Sequence, residues 1–84
     1  MVFSQKPSLD QINQNGNNTM TAHLGIVFTE IGDNHLTATM PVDERTKQPM
    51  GLLHGGANVV LAETLGSVAS SLTIDLNKQI CVGL

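Results

Sequence analysis

Apolar residues recur along this chain at two different periods. From Leu36 to Val42 the period is two: Leu36, Ala38, Met40 and Val42 alternate with Thr37 and Thr39. That predicts a strand with one apolar and one polar face. Ile26 to Ile31 is rich in β-forming residues, and Gly32-Asp33-Asn34 between the two runs is a turn cluster. The pair therefore predicts an antiparallel hairpin. Pro41 falls late in the second run and cannot donate to a ladder, so that end is expected at a sheet edge or a bulge.

After His54 the period becomes that of a helix. Leu61, Leu65, Val68 and Leu72 stand at i, i+4, i+7 and i+11, one apolar stripe. Ala62, Gly66 and Ala69 form a second stripe of small residues, where another backbone can come close. Glu63, Ser67 and Ser70 form a third, polar one. The three stripes predict one long helix over 54–76, and a helix that is apolar or small on most sides is normally buried.

Shorter signals complete the chain. Ser8-Leu9-Asp10-Gln11 has the form of a capping box and predicts a short helix ending near Asn15-Gly16, with the glycine as a left-handed stop. Thr19 is expected to cap one more helical turn through His23, stopped by Gly25. Asp43 to Thr46 reads as a single helical turn capped by Asp43, and Lys47 to Gly51 as the loop feeding the long helix. Gln79 to Leu84 reads as the beginning of a third strand, in which the chain stops. Two strands and part of a third are little cover for such a helix, so the chain is expected to be one incomplete domain, 1–84.

Composition narrows the function. The chain has 84 residues, 40% hydrophobic and 13% charged, with a net charge of -3 and four Lys and Arg together. That balance argues against a nucleic-acid or anionic-membrane surface. The single cysteine, Cys81, has no partner for an internal disulfide, which fits a reducing cytoplasm; a small strand residue is its plain reading. The N-terminus lacks an apolar signal-peptide core, and the apolar helix is interrupted by Glu63, Thr64, Gly66 and Ser67, unlike a membrane span. His23 and His35 show no ligand spacing with His54, so no metal is expected.

The candidate chemistry lies on the long helix and the loop before it. Glu63 is either a surface glutamate or, among Leu61, Ala62 and Leu65, a buried carboxylate with a task. As such it can activate water or attack an electrophilic carbon itself. Ser67, one turn on and on the same face, can support it or merely allow a close helix contact. Gly55 and Gly56 make either a tight turn or an uncovered helix start, whose N–H groups and dipole favour negative charge. His54 can bond a substrate or be structural; Gln48 can orient a carbonyl or simply be solvated. Glu63 stands nine residues after His54, on the opposite face of a regular helix and about 14 Å along its axis. One substrate atom cannot readily meet both from one chain. Two antiparallel helices could join them, which points to a composite site in a dimer.

Residues 40–56, Met-Pro-Val-Asp-Glu-Arg-Thr-Lys-Gln-Pro-Met-Gly-Leu-Leu-His-Gly-Gly, followed by Leu-Ala-Glu-Thr-Leu-Gly-Ser at 61–67, resemble the hotdog-fold acyl-CoA thioesterases. Within that family they look most like the branch acting on aromatic acyl-CoAs. The resemblance covers nearly the whole chain. It implies an α+β hotdog fold, a long central helix packed on an antiparallel sheet, of which this chain carries the N-terminal half to two-thirds. It implies Glu63 as the catalytic carboxylate, with Ser67, facing Gln48, His54 and Gly55 across an interface in a homodimer or a dimer of dimers. It implies an acyl-CoA substrate of hydroxybenzoyl or dihydroxynaphthoyl type, with coenzyme A part of the substrate and no separate cofactor. Met50 departs from the pattern of that branch, where an aromatic often stands. Two other readings stay open: a hotdog dehydratase, and a non-catalytic fragment that binds acyl-CoA or a partner chain.

Overall fold

A computed structural model describes Phe3 and residues 6–73. The elements run α1 (Leu9–Asn15), α2 (Met20–His23), β1 (Val27–Ile31), β2 (Leu36–Thr39) and α3 (Gly55–Thr73). The expected third strand, Cys81 and the far end of the long helix lie outside the described residues.

Ser8 caps α1 as its sequence requires, its Oγ accepting from the Gln11 N–H at 3.1 Å. The end of α1 differs from expectation. Gly16 has φ -83 and is right-handed, and the left-handed residue comes two positions later, at Asn18 with φ 63. Asparagine tolerates that region because its short polar side chain bonds locally. Thr19 precedes α2 as expected, but its hydroxyl donates back to the Gly16 carbonyl at 2.6 Å and makes no cap bond to α2. Gly25 then stops α2 with φ +76. A side chain there would also meet Arg45 and Pro41 at 2.9 Å, so both backbone and space require glycine.

The hairpin is antiparallel, with a register shift between Phe28 and Glu30. Phe28 pairs with Ala38 and Glu30 with Thr37, so Thr29 is the extra residue of a bulge. Strict alternation from Phe28 would turn Glu30 inward. The bulge slips the phase by one, leaving Glu30 exposed and bringing Ile31, paired with Leu36, to the covered side. β2 ends at Thr39, not at Val42. The cause is Pro41, whose missing N–H and fixed φ end the pairing, and Val42 is exposed.

α1 packs on β1 and α3 on β2. Ile12, Ile26, Phe28 and Leu72 are the buried apolar side chains among the described residues, each contributing about 1.5–3 kcal/mol on full burial. Asn13 ties α1 to β1 at the backbone. Its amide donates to the Phe28 carbonyl at 3.0 Å and its Oδ1 accepts from the Phe28 N–H at 2.8 Å. One side chain thus satisfies the outward polar pair of β1 where a further strand would otherwise bond. α3 is unbroken at Gly66, as the three stripes predict. Leu61, Leu65 and Val68 are half-buried, while Ala62 and Gly66 face outward.

Candidate active site

The site is built on the chain between β2 and α3. Asp43 opens a tight turn, its carbonyl accepting from the Thr46 and Lys47 N–H groups at 3.0 and 2.9 Å. Its carboxylate caps the same turn, accepting from the Arg45 N–H at 2.9 Å and pairing with the Arg45 guanidinium at 2.6 Å. The hydrogen bonds from Arg45 hold the Asp43 carboxyl below the usual carboxylate range and raise the guanidinium above its own. Arg45 also donates to the His23 carbonyl at 3.0 Å, fastening the turn to the end of α2.

Lys47 and Leu53 form an antiparallel bridge, and the chain between them folds back as a small hairpin. Gln48 to Gly51 is its β-turn, closed by the Gly51 N–H on the Gln48 carbonyl at 2.9 Å. Pro49 sits at the position its fixed φ suits, and Gly51, with φ +84, is the left-handed residue that lets the strand resume. The Gln48 N–H donates to the Leu52 carbonyl at 2.7 Å. The Gln48 side chain is held as well, its Oε1 accepting from the Met50 N–H. Gln48 is a half-buried amide whose oxygen its own turn engages, and its –NH2 end is left as a donor.

His54 is the N-cap of α3. Its carbonyl accepts the first helical bond, from Asn58, at 3.1 Å. Its ring turns onto the helix start, Nδ1 accepting from the Gly56 N–H at 2.9 Å. That bond fixes the tautomer, since an accepting Nδ1 places the proton of the neutral ring on Nε2. Gly56 is what makes room: a side chain there would meet the ring at 3.0 Å. A side chain at Gly55 would meet nothing within 4 Å. Among the described residues, no acceptor meets the Gly55 N–H. Paired glycines thus serve two purposes, one toward His54 and the other outward.

Glu63 and Ser67 lie one turn apart on α3, both half-buried and both engaged in contacts within the chain. The helix is regular from Gly55 to Thr73, so Glu63 stays about 14 Å along the axis from His54 and on the opposite face. One chain carries Gln48 on the loop that leads into the helix start of His54 and Gly55, and a regular helix separates that start from Glu63 and Ser67. Clefts among the described residues run along α2 and between α1 and α3, and none of the five lines either, although the second borders Ser67 through Val68 and Ser71.

Two features here escape a reading of residue types: the capping bond from Gly56 to His54, and the burial of Thr46. An Asp-x-x-Thr turn was the available signal for the second, because threonine hydroxyls bond readily to nearby backbone in turns.

The architecture has close counterparts. It superimposes on a crystal structure of a glutamine-to-alanine mutant of thioesterase PA1618 from Pseudomonas aeruginosa with a TM-score of 0.87, at 52% identity over 92% of this chain. It superimposes on thioesterase HI1161 from Haemophilus influenzae with a TM-score of 0.86, at 46% identity over 90% of this chain.

The fold is the hotdog fold.

In sequence, the chain is 54% identical over 83 residues to PA1618 of Pseudomonas aeruginosa, named a putative esterase. No family model matches. The chain spans 57% of the PA1618 sequence and 55% and 53% of the two solved chains. These elements are thus the part of the hotdog fold that carries its hairpin and long helix. No helix among the described residues is long and apolar enough to cross a membrane.

Proposed function

We propose that the complete protein hydrolyses acyl-CoA thioesters to a free acid and coenzyme A. The state of the helix start supports this most. Capping the Gly56 N–H leaves His54 with its proton on Nε2, beside an N–H of Gly55 that no acceptor among the described residues meets. Gln48, anchored through its oxygen, offers its –NH2 end from the adjoining loop. These are uncharged donors of the kind that bind a thioester carbonyl and strengthen their hold as its oxygen gains charge. Losing one such donor typically lowers the rate ~10²–10³-fold.

Glu63 of a facing subunit supplies the attack, with Ser67 supporting it. Either the carboxylate adds to the carbonyl carbon and expels the thiolate, leaving an anhydride that water opens, or it takes a proton from the water that adds. In both routes the C–S bond breaks, a C–O bond forms and coenzyme A leaves with a proton. The separation of Glu63 from His54 on a regular helix favours a site shared by two chains, a homodimer or a dimer of dimers. The run from Met40 to Gly56, with Glu63 and Ser67 beyond it, resembles the branch acting on aromatic acyl-CoAs. On that basis the substrate is of the 1,4-dihydroxy-2-naphthoyl-CoA or hydroxybenzoyl-CoA type, as in menaquinone synthesis, and the protein works in the cytoplasm. Coenzyme A is part of the substrate, and the reaction calls for no cofactor. That a solved relative carries a glutamine-to-alanine substitution adds weight to testing Gln48.

Glu63→Gln tests the reading in the full-length protein. It keeps the size and removes the base, so kcat should fall by several powers of ten with little change in KM. Coenzyme A release is followed with a thiol reagent. Unimpaired turnover would remove the mechanism.

A further inference from the structure

Thr46 is the one fully buried polar side chain among the described residues, 1% exposed, and it lies in a turn rather than in a helix or strand. A hydroxyl so covered is unfavourable unless it is bonded. Its Oγ1 donates to the Pro41 carbonyl at 2.6 Å and accepts from the Asp43 N–H at 3.1 Å. Its backbone is equally engaged: the N–H donates to the Asp43 carbonyl at 3.0 Å, and the carbonyl accepts from the His54 N–H at 2.7 Å. One residue therefore joins the chain leaving β2, the Asp43 turn and the N-cap of α3.

We propose that Thr46 is a positioning residue for the active site, holding His54, and through it the imidazole on Gly56, in the geometry the reaction uses. As regards activity this rests on the thioesterase reading; as a mechanical claim it rests on the hydrogen bonds alone. Thr46 itself is too covered to touch a substrate. It acts by fixing the depth of its own carbonyl, because the side chain is pinned from two directions at once. His54 hangs from that carbonyl, and the next rung of the same small hairpin is the Lys47–Leu53 bridge, beyond which Gln48 begins the turn. A slip at Thr46 thus moves both His54 and Gln48 relative to α3. The Arg45–Asp43 pair fastens the turn from its outer side, but neither side chain is deeply buried, and such pairs hold weakly. The covered hydroxyl is the stronger fixture.

Thr46→Val keeps the shape and deletes the hydroxyl, leaving the Pro41 carbonyl and the Asp43 N–H without it. Thr46→Ser keeps the hydroxyl. In the full-length protein, with an aromatic acyl-CoA substrate and well below the melting temperature, Thr46→Val should lower kcat about tenfold to a hundredfold, the range for a displaced site, while KM changes little. Thr46→Ser should recover most of the loss. Ile12→Val, a core change used as a control for lost stability, should keep the wild-type kcat. Amide exchange supplies a readout independent of activity. The His54 and Gly56 amides should exchange far more slowly than the exposed Glu44 amide in the wild type, and Thr46→Val should speed both. Wild-type kcat and exchange in Thr46→Val would overturn the proposal. If that variant does not fold, wild-type exchange decides: His54 and Gly56 amides as fast as Glu44 overturn it. If the wild type hydrolyses no acyl-CoA, the functional reading fails and the exchange comparison still decides the positioning role.

Discussion

Gly55 and Gly56 lack a side chain for different reasons, and the difference can be measured. A methyl at Gly56 would press on the His54 ring at 3.0 Å. Gly56→Ala should therefore displace the ring, forfeiting a helix cap of typically ~1 kcal/mol and lowering both melting temperature and activity. A methyl at Gly55 meets nothing within 4 Å, and alanine is the better helix former by about 1 kcal/mol. Gly55→Ala should melt no lower than the wild type yet lose activity, because the methyl stands where a substrate must approach the N–H. Calorimetry paired with turnover separates the two; parallel losses in both variants would contradict the assignment. Which residue types matter at the helix start is plain in His54-Gly55-Gly56. That one glycine serves the ring and the other faces outward is not, because it depends on where the imidazole turns.

The elements divide in the same way. α3 is readable from its stripes because a helix face repeats every 3.6 residues whatever lies against it. The hairpin is readable from alternation in β2. The bulge at Thr29 is not, since a slipped phase has meaning only against a pairing strand, and here it decides that Ile31 rather than Glu30 turns inward. The turn from Asp43 to Thr46 is readable as a capped turn, and its electrostatics give a prediction. Arg45 depresses the Asp43 pKa in the folded state. The depressed group contributes stability that is present above its unfolded pKa of about 3.9 and is lost as pH falls through the lower, folded value. The turn should thus hold through mildly acid pH and loosen only below about pH 4. An NMR titration following the Arg45 Nε–H signal checks this: a midpoint at or above the ordinary aspartate value would contradict it.

At the scale of the whole molecule, covered and uncovered apolar surface among the described residues are out of balance. The buried apolar side chains among the described residues are four, whereas Val59 on α3 is 65% exposed, and Met50 and Leu52 on the site loop 82% and 61%. With so much apolar surface uncovered among the described residues, the 84-residue chain is expected to associate or aggregate when isolated. A reversible, cooperative melt of a monomer at micromolar concentration would contradict that. The same outward surface explains why the site is only half legible in one sequence. Gln48, His54 and Gly55 can be assembled from a loop and a helix start, but the group that faces Glu63 belongs, on this account, to another copy, and no period or motif along one chain records it. Mixing two inactive full-length proteins tests this most directly, one carrying Glu63→Gln and the other Gln48→Ala. If each site takes Glu63 from one subunit and Gln48, His54 and Gly55 from the other, mixed dimers hold one site with both halves intact, and activity returns on mixing. If subunit exchange is demonstrated by native mass spectrometry and activity does not return, the shared site is wrong.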